Sequence, residues 1–437
     1  MTILSKIILP VLITLLAISA NAQNLSKKER TEVIAAISQQ LNDNYVFPDV
    51  AKKMTTYIKK RQKKGHYKKI TDTQEFSNVL TEDLLSVSHD KHIRVIFNPE
   101  GIARQNLAVT PEDQEKLQQR RTAMMQKGNF GFKEVKILDG NIGYLDLRNF
   151  VSASIGSETA VAAMNFLNNS DAIIIDLRKN GGGDPTMIQL ISSYLFDDEP
   201  VHLNNFYWRP TDLNTQTWTL PYVPGKRSPE TPVYVLTSSY TFSAAEEFSY
   251  NLKNLERATL VGETTGGGAH PGSTVNATDR FQVWVPSGRA INPITNTNWE
   301  GTGVSPHVAV KQEHALTTAH LKALEVLFNA TDDKQQKLFY KWSLDGLKAK
   351  SINLDLDEDL LKSYVGKYGP RVISIENKTL FYQREGGRKF TLKAISENEF
   401  ILEGLSSFRI KFESNGKNIS ALIGKNENGR TTRNLKE

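Results

Sequence analysis

The sequence predicts an α/β protein with a helical head and a small all-β tail, on three observations. Short, almost continuous apolar runs alternate with helix-period segments through the middle of the chain. That pattern belongs to strands buried on both faces of a largely parallel sheet. Before it the apolar residues recur only at helical spacing, and after it short alternating runs are separated by glycine and asparagine turns.

The head comes first. Val33, Ile34, Ile37 and Leu41 share one helix face, and Phe47-Pro48 ends the run. A second helix is expected from Val50, and a third carries Phe76, Val79, Leu80, Leu84 and Leu85. Residues 98–130 are polar and read as a linker or a lone helix. The core is expected over 131–330. It contains strands at Asn141–Leu147, Asp171–Leu177, Val233–Thr237 and Ala258–Val261, and helices at Glu158–Leu167, after Pro185 and after Ser243. Phe281–Val285 followed by Ser287-Gly288 predicts a β-hairpin. Residues 331–363 read as a helical linker, and 364–437 as an antiparallel domain of short strands.

Composition narrows the function classes. The 437 residues contain no cysteine, which excludes disulfides, a thiol nucleophile and thiolate metal sites. Lys6, the apolar run Ile7–Ile18 and Ala20-Asn21-Ala22 form a secretory signal pattern over residues 1–22, so an exported, periplasmic or secreted chain is expected from residue 23. The net charge of +6 is concentrated between Lys52 and Lys69. This run reads as the solvated face of a helix, with contact to an anionic envelope surface as the sharper alternative. Basic and aromatic residues are not interleaved, so nucleic acid is not an expected partner. Nothing in the sequence specifies an oligomer.

Three segments could carry chemistry. Thr241-Phe242-Ser243-Ala244-Ala245-Glu246 follows the strand ending at Thr237 and opens a helix. Ser243 therefore suits an N-cap, and it equally suits a nucleophile facing the free N–H groups of a first helical turn. Asp176-Leu177-Arg178-Lys179-Asn180-Gly181-Gly182-Gly183 leaves a buried strand and enters a helix. No Gly-Lys-Ser/Thr follows, so a phosphate loop is excluded; an oxyanion hole and a plain tight turn both remain. In Ser88-His89-Asp90-Lys91-His92, a histidine leaving a helix end is a candidate general base. The same spacing could hold a metal, but no second cluster completes it, and neither metal nor cofactor is expected.

Taken together these segments resemble the C-terminal processing (tail-specific) serine peptidases, in the branch of the tricorn protease core and interphotoreceptor retinoid-binding protein. Gly262-Glu263-Thr264-Thr265-Gly266-Gly267-Gly268, Asn44-Tyr45-Val46-Phe47-Pro48, Asp90–Val95 and Trp299-Glu300-Gly301-Thr302-Gly303-Val304-Ser305-Pro306 carry the same likeness. The resemblance implies a ClpP/crotonase-like β-α superhelix and a peptide or protein substrate. It implies Ser243 as nucleophile, His92 as base, Glu300 as helper, and an oxyanion hole from Gly182 or Gly183 with Ala244. Two departures stand out. Gly268 occupies the place of the processing proteases' lysine base, and no lysine lies between Lys253 and Lys311. The tricorn-like helping serine falls on Lys91, with Ser88 as a substitute. Residues 98–131 are too short for a PDZ domain, so substrate choice is expected from the core cleft or the tail. The same likeness leaves a carrier of apolar ligands as the alternative function. A crotonase-like acyl-thioester enzyme leaves Ser243 and His92 without a role.

Overall fold

The computed structural model describes residues 24–106, 110–351, 354–416 and 418–437; the expected signal segment lies outside them. Three helices form the head. Lys27–Asn44 starts at Ser26, whose hydroxyl accepts the Glu29 N–H. Pro48–Lys63 begins on the expected proline, which needs no N–H partner at a helix start. Thr73–Ser88 is capped by Asp72 and ends at His89, which takes a left-handed conformation at φ 58°. Lys52, Lys53, Lys59, Lys60, Lys63 and Lys64 are exposed, while Ala51, Met54 and Ile58 are buried, as a solvated helix face requires. Among the described residues of 98–130 are two α-helices, Pro99–Asn106 and Pro111–Lys127; the second buries none of its residues.

The core sheet has six strands in the order Val308–Ala309, Ala258–Gly262, Val233–Thr237, Ala172–Asp176, Ile142–Leu147, Phe132–Leu138. All neighbours are parallel except the last pair. The four central strands are almost wholly buried because helices cover both faces. Ala153–Leu167, Pro185–Ser193 and Ala244–Asn254 pack on one face. Gln312–Ala330 and Lys334–Ser351 pack on the other. Among the described residues, no helix is long and apolar enough to cross a membrane.

The expected hairpin at Ser287-Gly288 does not form. Phe281–Pro286 pairs with Gly272–Asn276 and with Arg94–Phe97, whereas Gly288–Ile291 joins a different sheet beside His202–Trp208. Both runs have strand composition, but long-range pairing decides where each goes. The pairing of Arg94 with Trp284 ties the head to the core. It carries the segment Asp90–His92 to the turn that follows the central strand Val233–Thr237, where His92 meets Phe242. The tail is an eight-stranded antiparallel meander from Gly366–Tyr368 to Thr431–Leu435 with its own core.

Candidate active site

The site is built on two strand-to-helix turns that hold each other. Thr241 Oγ1 donates to the Leu177 carbonyl at 2.8 Å, Ser238 Oγ to the Arg178 carbonyl at 2.6 Å, and Phe242 N–H to the Asn180 carbonyl at 3.2 Å. Asn180 is fully buried; its amide donates to the Leu147 carbonyl and its oxygen accepts the Gly182 N–H at 2.9 Å. Arg178 chelates Asp176 and donates to the Gln312 carbonyl, so the charged pair of the Asp-Leu-Arg turn is structural.

Ser243 sits at φ 55°, ψ −123°, a conformation that L-residues adopt only when the surroundings enforce it. The enforcing group is Glu246, fully buried. Its Oε2 accepts the N–H of Ser243 at 2.9 Å and of Gly268 at 2.8 Å. Its Oε1 accepts Thr265 Oγ1 at 2.5 Å and the Gly267 N–H at 2.6 Å. The Glu246 N–H bonds the Ser243 carbonyl at 2.8 Å, and Ser243 and Glu246 stand in the reciprocal arrangement of a capping box. Burial raises the Glu246 carboxyl above its ordinary value, against the four donors that favour its charge.

Ser243, His92, Gly181 and Gly183 border one cleft of about 920 Å³, whose walls include Phe206, Trp208 and Trp284. Of the three expected oxyanion donors, Gly182 spends its N–H on Asn180. Its value is its lack of a side chain, since a Cβ there would stand 2.9 Å from Ser243 Cβ. Gly183, at φ 143°, and Ala244, the first helical residue, remain.

His92 lies against Phe242, with ring centroids 4.6 Å apart. Its backbone N–H bonds Asp90 Oδ1 at 3.0 Å, and its Nδ1 is 3.6 Å from the same oxygen. Asp90 is 1% exposed and also accepts His270 Nδ1 at 2.8 Å and the Tyr45 hydroxyl at 3.2 Å. Burial pushes its carboxyl up, but the hydrogen bonds and charges of His270 and His92 win and hold it well below the usual range. Glu300 Oε2 lies 3.4 Å from His270 Nδ1 and accepts the Ala269 N–H. Burial, then the Asp90 charge, raises the Glu300 carboxyl.

The Ser88 hydroxyl bonds backbone groups rather than the side chains of this cluster. It donates to the Leu84 carbonyl and accepts the Asp90 N–H, closing the helix end. Lys91 is exposed and its ammonium donates to the Gly266 carbonyl. The sequence reading gave no role in the site to His270, Tyr45 or Glu246, and met Asp90 only as part of a possible metal spacing with His89 and His92. Only Glu246 carried a local signal, the Ser-x-x-Glu spacing of a capping box. Gly268 has a steric reason: a Cβ there would run into the Phe242 ring and approach His92 Cε1 to 2.6 Å.

Among solved structures the chain is similar to the photosystem II D1 C-terminal processing protease, at 16% identity and TM-score 0.41, covering 66% of this chain and 94% of that one. A lipoprotein from Streptococcus agalactiae aligns at 15% identity and TM-score 0.43, covering 68% and 96%. The tricorn protease aligns at 14% and 0.42, covering 73% and 37%. The family models are more specific. Residues 20–128 match the N-terminal domain of peptidase S41 in eukaryotic IRBP, and residues 141–310 match peptidase family S41 itself. The chain belongs to peptidase family S41, a family of serine-type peptidases, and carries the IRBP-like N-terminal domain.

Proposed function

We propose that this protein is an exported serine endopeptidase that uses Ser243 as nucleophile and His92 as general base. The observation that carries the reading is the strained Ser243 backbone at a strand-to-helix turn, opening on the cleft that His92 and Gly183 also line. Strain of this kind persists where a fold holds a side chain for use.

The chemistry follows from the geometry. His92 takes the proton of Ser243 Oγ as the oxygen attacks the scissile carbonyl. The negative charge that develops faces the N–H groups of Gly183 and Ala244, and such donors contribute about 3–4 kcal/mol to lowering the barrier. Asp90, ionised and buried, favours the imidazolium that forms on His92, and Glu300 adds to the same field. His92 then returns the proton to the leaving amine, and water releases the acyl group by the reverse roles. Export rests on the Lys6, Ile7–Ile18 and Ala20-Asn21-Ala22 pattern.

Treatment with a fluorophosphonate, with the adduct mapped by mass spectrometry, tests the reading. Labelling at Ser243 that collapses in His92→Ala is expected. An unlabelled Ser243 in folded protein, together with saturable binding of a retinoid or fatty acid and no proteolysis, would establish the carrier instead.

A further inference from the structure

Behind His92 the fold assembles a second kind of chemistry. The His92 side chain is 10% exposed, and both its ring nitrogens are buried without a hydrogen-bond partner; so is Glu300 Oε1. Asp90, His92 and Glu300 each bring one ligand-capable atom within 4.8 Å of the other two. The 3.6 Å between His92 Nδ1 and Asp90 Oδ1 is long for a hydrogen bond. It is close to the separation of about 3.3 Å between ligands of a tetrahedral ion with bonds of about 2.0–2.1 Å.

We propose that Asp90, His92 and Glu300 form a three-ligand site for a divalent transition-metal ion, with zinc the best fit, and that its occupancy reversibly silences Ser243. One imidazole and two carboxylates with an open fourth position suit zinc. Calcium and magnesium take six or more oxygens, which this set does not supply. The surroundings already orient the ligands. His270 holds Asp90 Oδ2 at 2.8 Å, Tyr45 reaches the same oxygen, and the Ala269 N–H holds Glu300 Oε2. Such outer contacts fix ligand direction. Silencing follows from the ring itself. An ion on Nδ1 leaves the proton on Nε2, so the imidazole has no lone pair to take the serine proton. That consequence rests on His92 being the base; the binding does not.

The test separates the two. Tag-free Ser243→Ala protein, stripped with a chelator, is titrated with cobalt(II) and followed by its visible absorption, then competed with zinc. One equivalent of cobalt in a four-coordinate spectrum, displaced by one equivalent of zinc, is expected. Glu300→Gln and His92→Gln should each weaken binding by roughly tenfold or more, with unchanged circular dichroism. In wild-type protein, zinc should block fluorophosphonate labelling of Ser243 and chelation should restore it. Absence of stoichiometric binding, or affinity unchanged from the parent protein in both ligand variants, overturns the site. Zinc that binds there yet leaves labelling unchanged overturns the silencing. If Ser243 never labels even without metal, the peptidase reading fails while the cobalt titration still decides the site.

Discussion

Glu246 Oε2 accepts the N–H of Ser243 at 2.9 Å while also holding the N–H of Gly268. One buried carboxylate therefore sets the spacing between the Ser243 turn and the loop that borders His92. Its four donors leave no room for a donor in return. Glu246→Gln presents an NH₂ to backbone N–H groups and is expected to cost roughly 2–4 kcal/mol, as for other broken buried charged networks. The expected result is a lower Tm, and fluorophosphonate labelling of Ser243 slowed by about tenfold or more, of which 1.4 kcal/mol is one decade. Unchanged labelling would show that the strained turn does not depend on Glu246.

Asp90 is the group most strongly placed to orient His92. Asp90→Asn keeps the shape but removes the charge that favours an imidazolium, and it lets the ring adopt the wrong tautomer. In the serine protease triad the same change costs about 10⁴ in kcat. A fall of roughly 10²–10⁴ in kcat with KM little changed is expected here. Tyr45→Phe removes only one of the hydrogen bonds to Asp90 and should cost about 0.5–1.5 kcal/mol of stability. A kcat within twofold of wild type in Asp90→Asn would leave Glu300 as the carboxylate that matters.

Residues that sit on locally coded elements were readable from the chain. Ser243 and Gly181–Gly183 occupy strand-to-helix turns whose strand, glycine and helix signals are contiguous. His92 directly follows a well-patterned helix. The contacts that escaped detection join segments far apart in the chain. Asp90 and His270 are 180 positions apart and meet because Arg94–Phe97 adds to the strand Phe281–Pro286. The same pairing overrode the local hairpin signal at Ser287-Gly288. Ser88 looked available because its hydroxyl's partners, a helix carbonyl and the Asp90 N–H, form only once the helix ends.

Gly268 offers a sharp steric test. A Cβ at this position overlaps the Phe242 ring and crowds His92 Cε1. Gly268→Ala should lower kcat by more than its loss of stability explains, because the ring that moves is that of His92, the proposed base. Gly268→Lys should give no rescue in a His92→Ala background, since Phe242 fills the lysine's path. Recovery of Ser243 labelling in that double variant would show that a lysine base can still be accommodated.

Glu247 yields a pH prediction independent of catalysis. It follows Glu246 on the same helix but faces inward, 3% exposed, beside Asn204 and Asn251. Burial raises its carboxyl to about 8, with the two amides offsetting only part of the effect. In the unfolded chain the group titrates near its ordinary value of about 4.3. Between these limits the folded state binds more protons than the unfolded state, so stability falls as pH rises. The contribution is intact below about pH 4, declines across the interval, and is fully lost once the folded carboxyl has ionised above about pH 8. Glu247→Gln removes the ionisation while keeping the shape. It should therefore match wild type near pH 4–5 and exceed it near pH 8 by a few kcal/mol, at ~1.4 kcal/mol per unit of pKa difference. Urea unfolding of both proteins at the two pH values measures this directly. Parallel pH profiles for the two proteins would mean that Glu247 is ionised and paired in the fold after all.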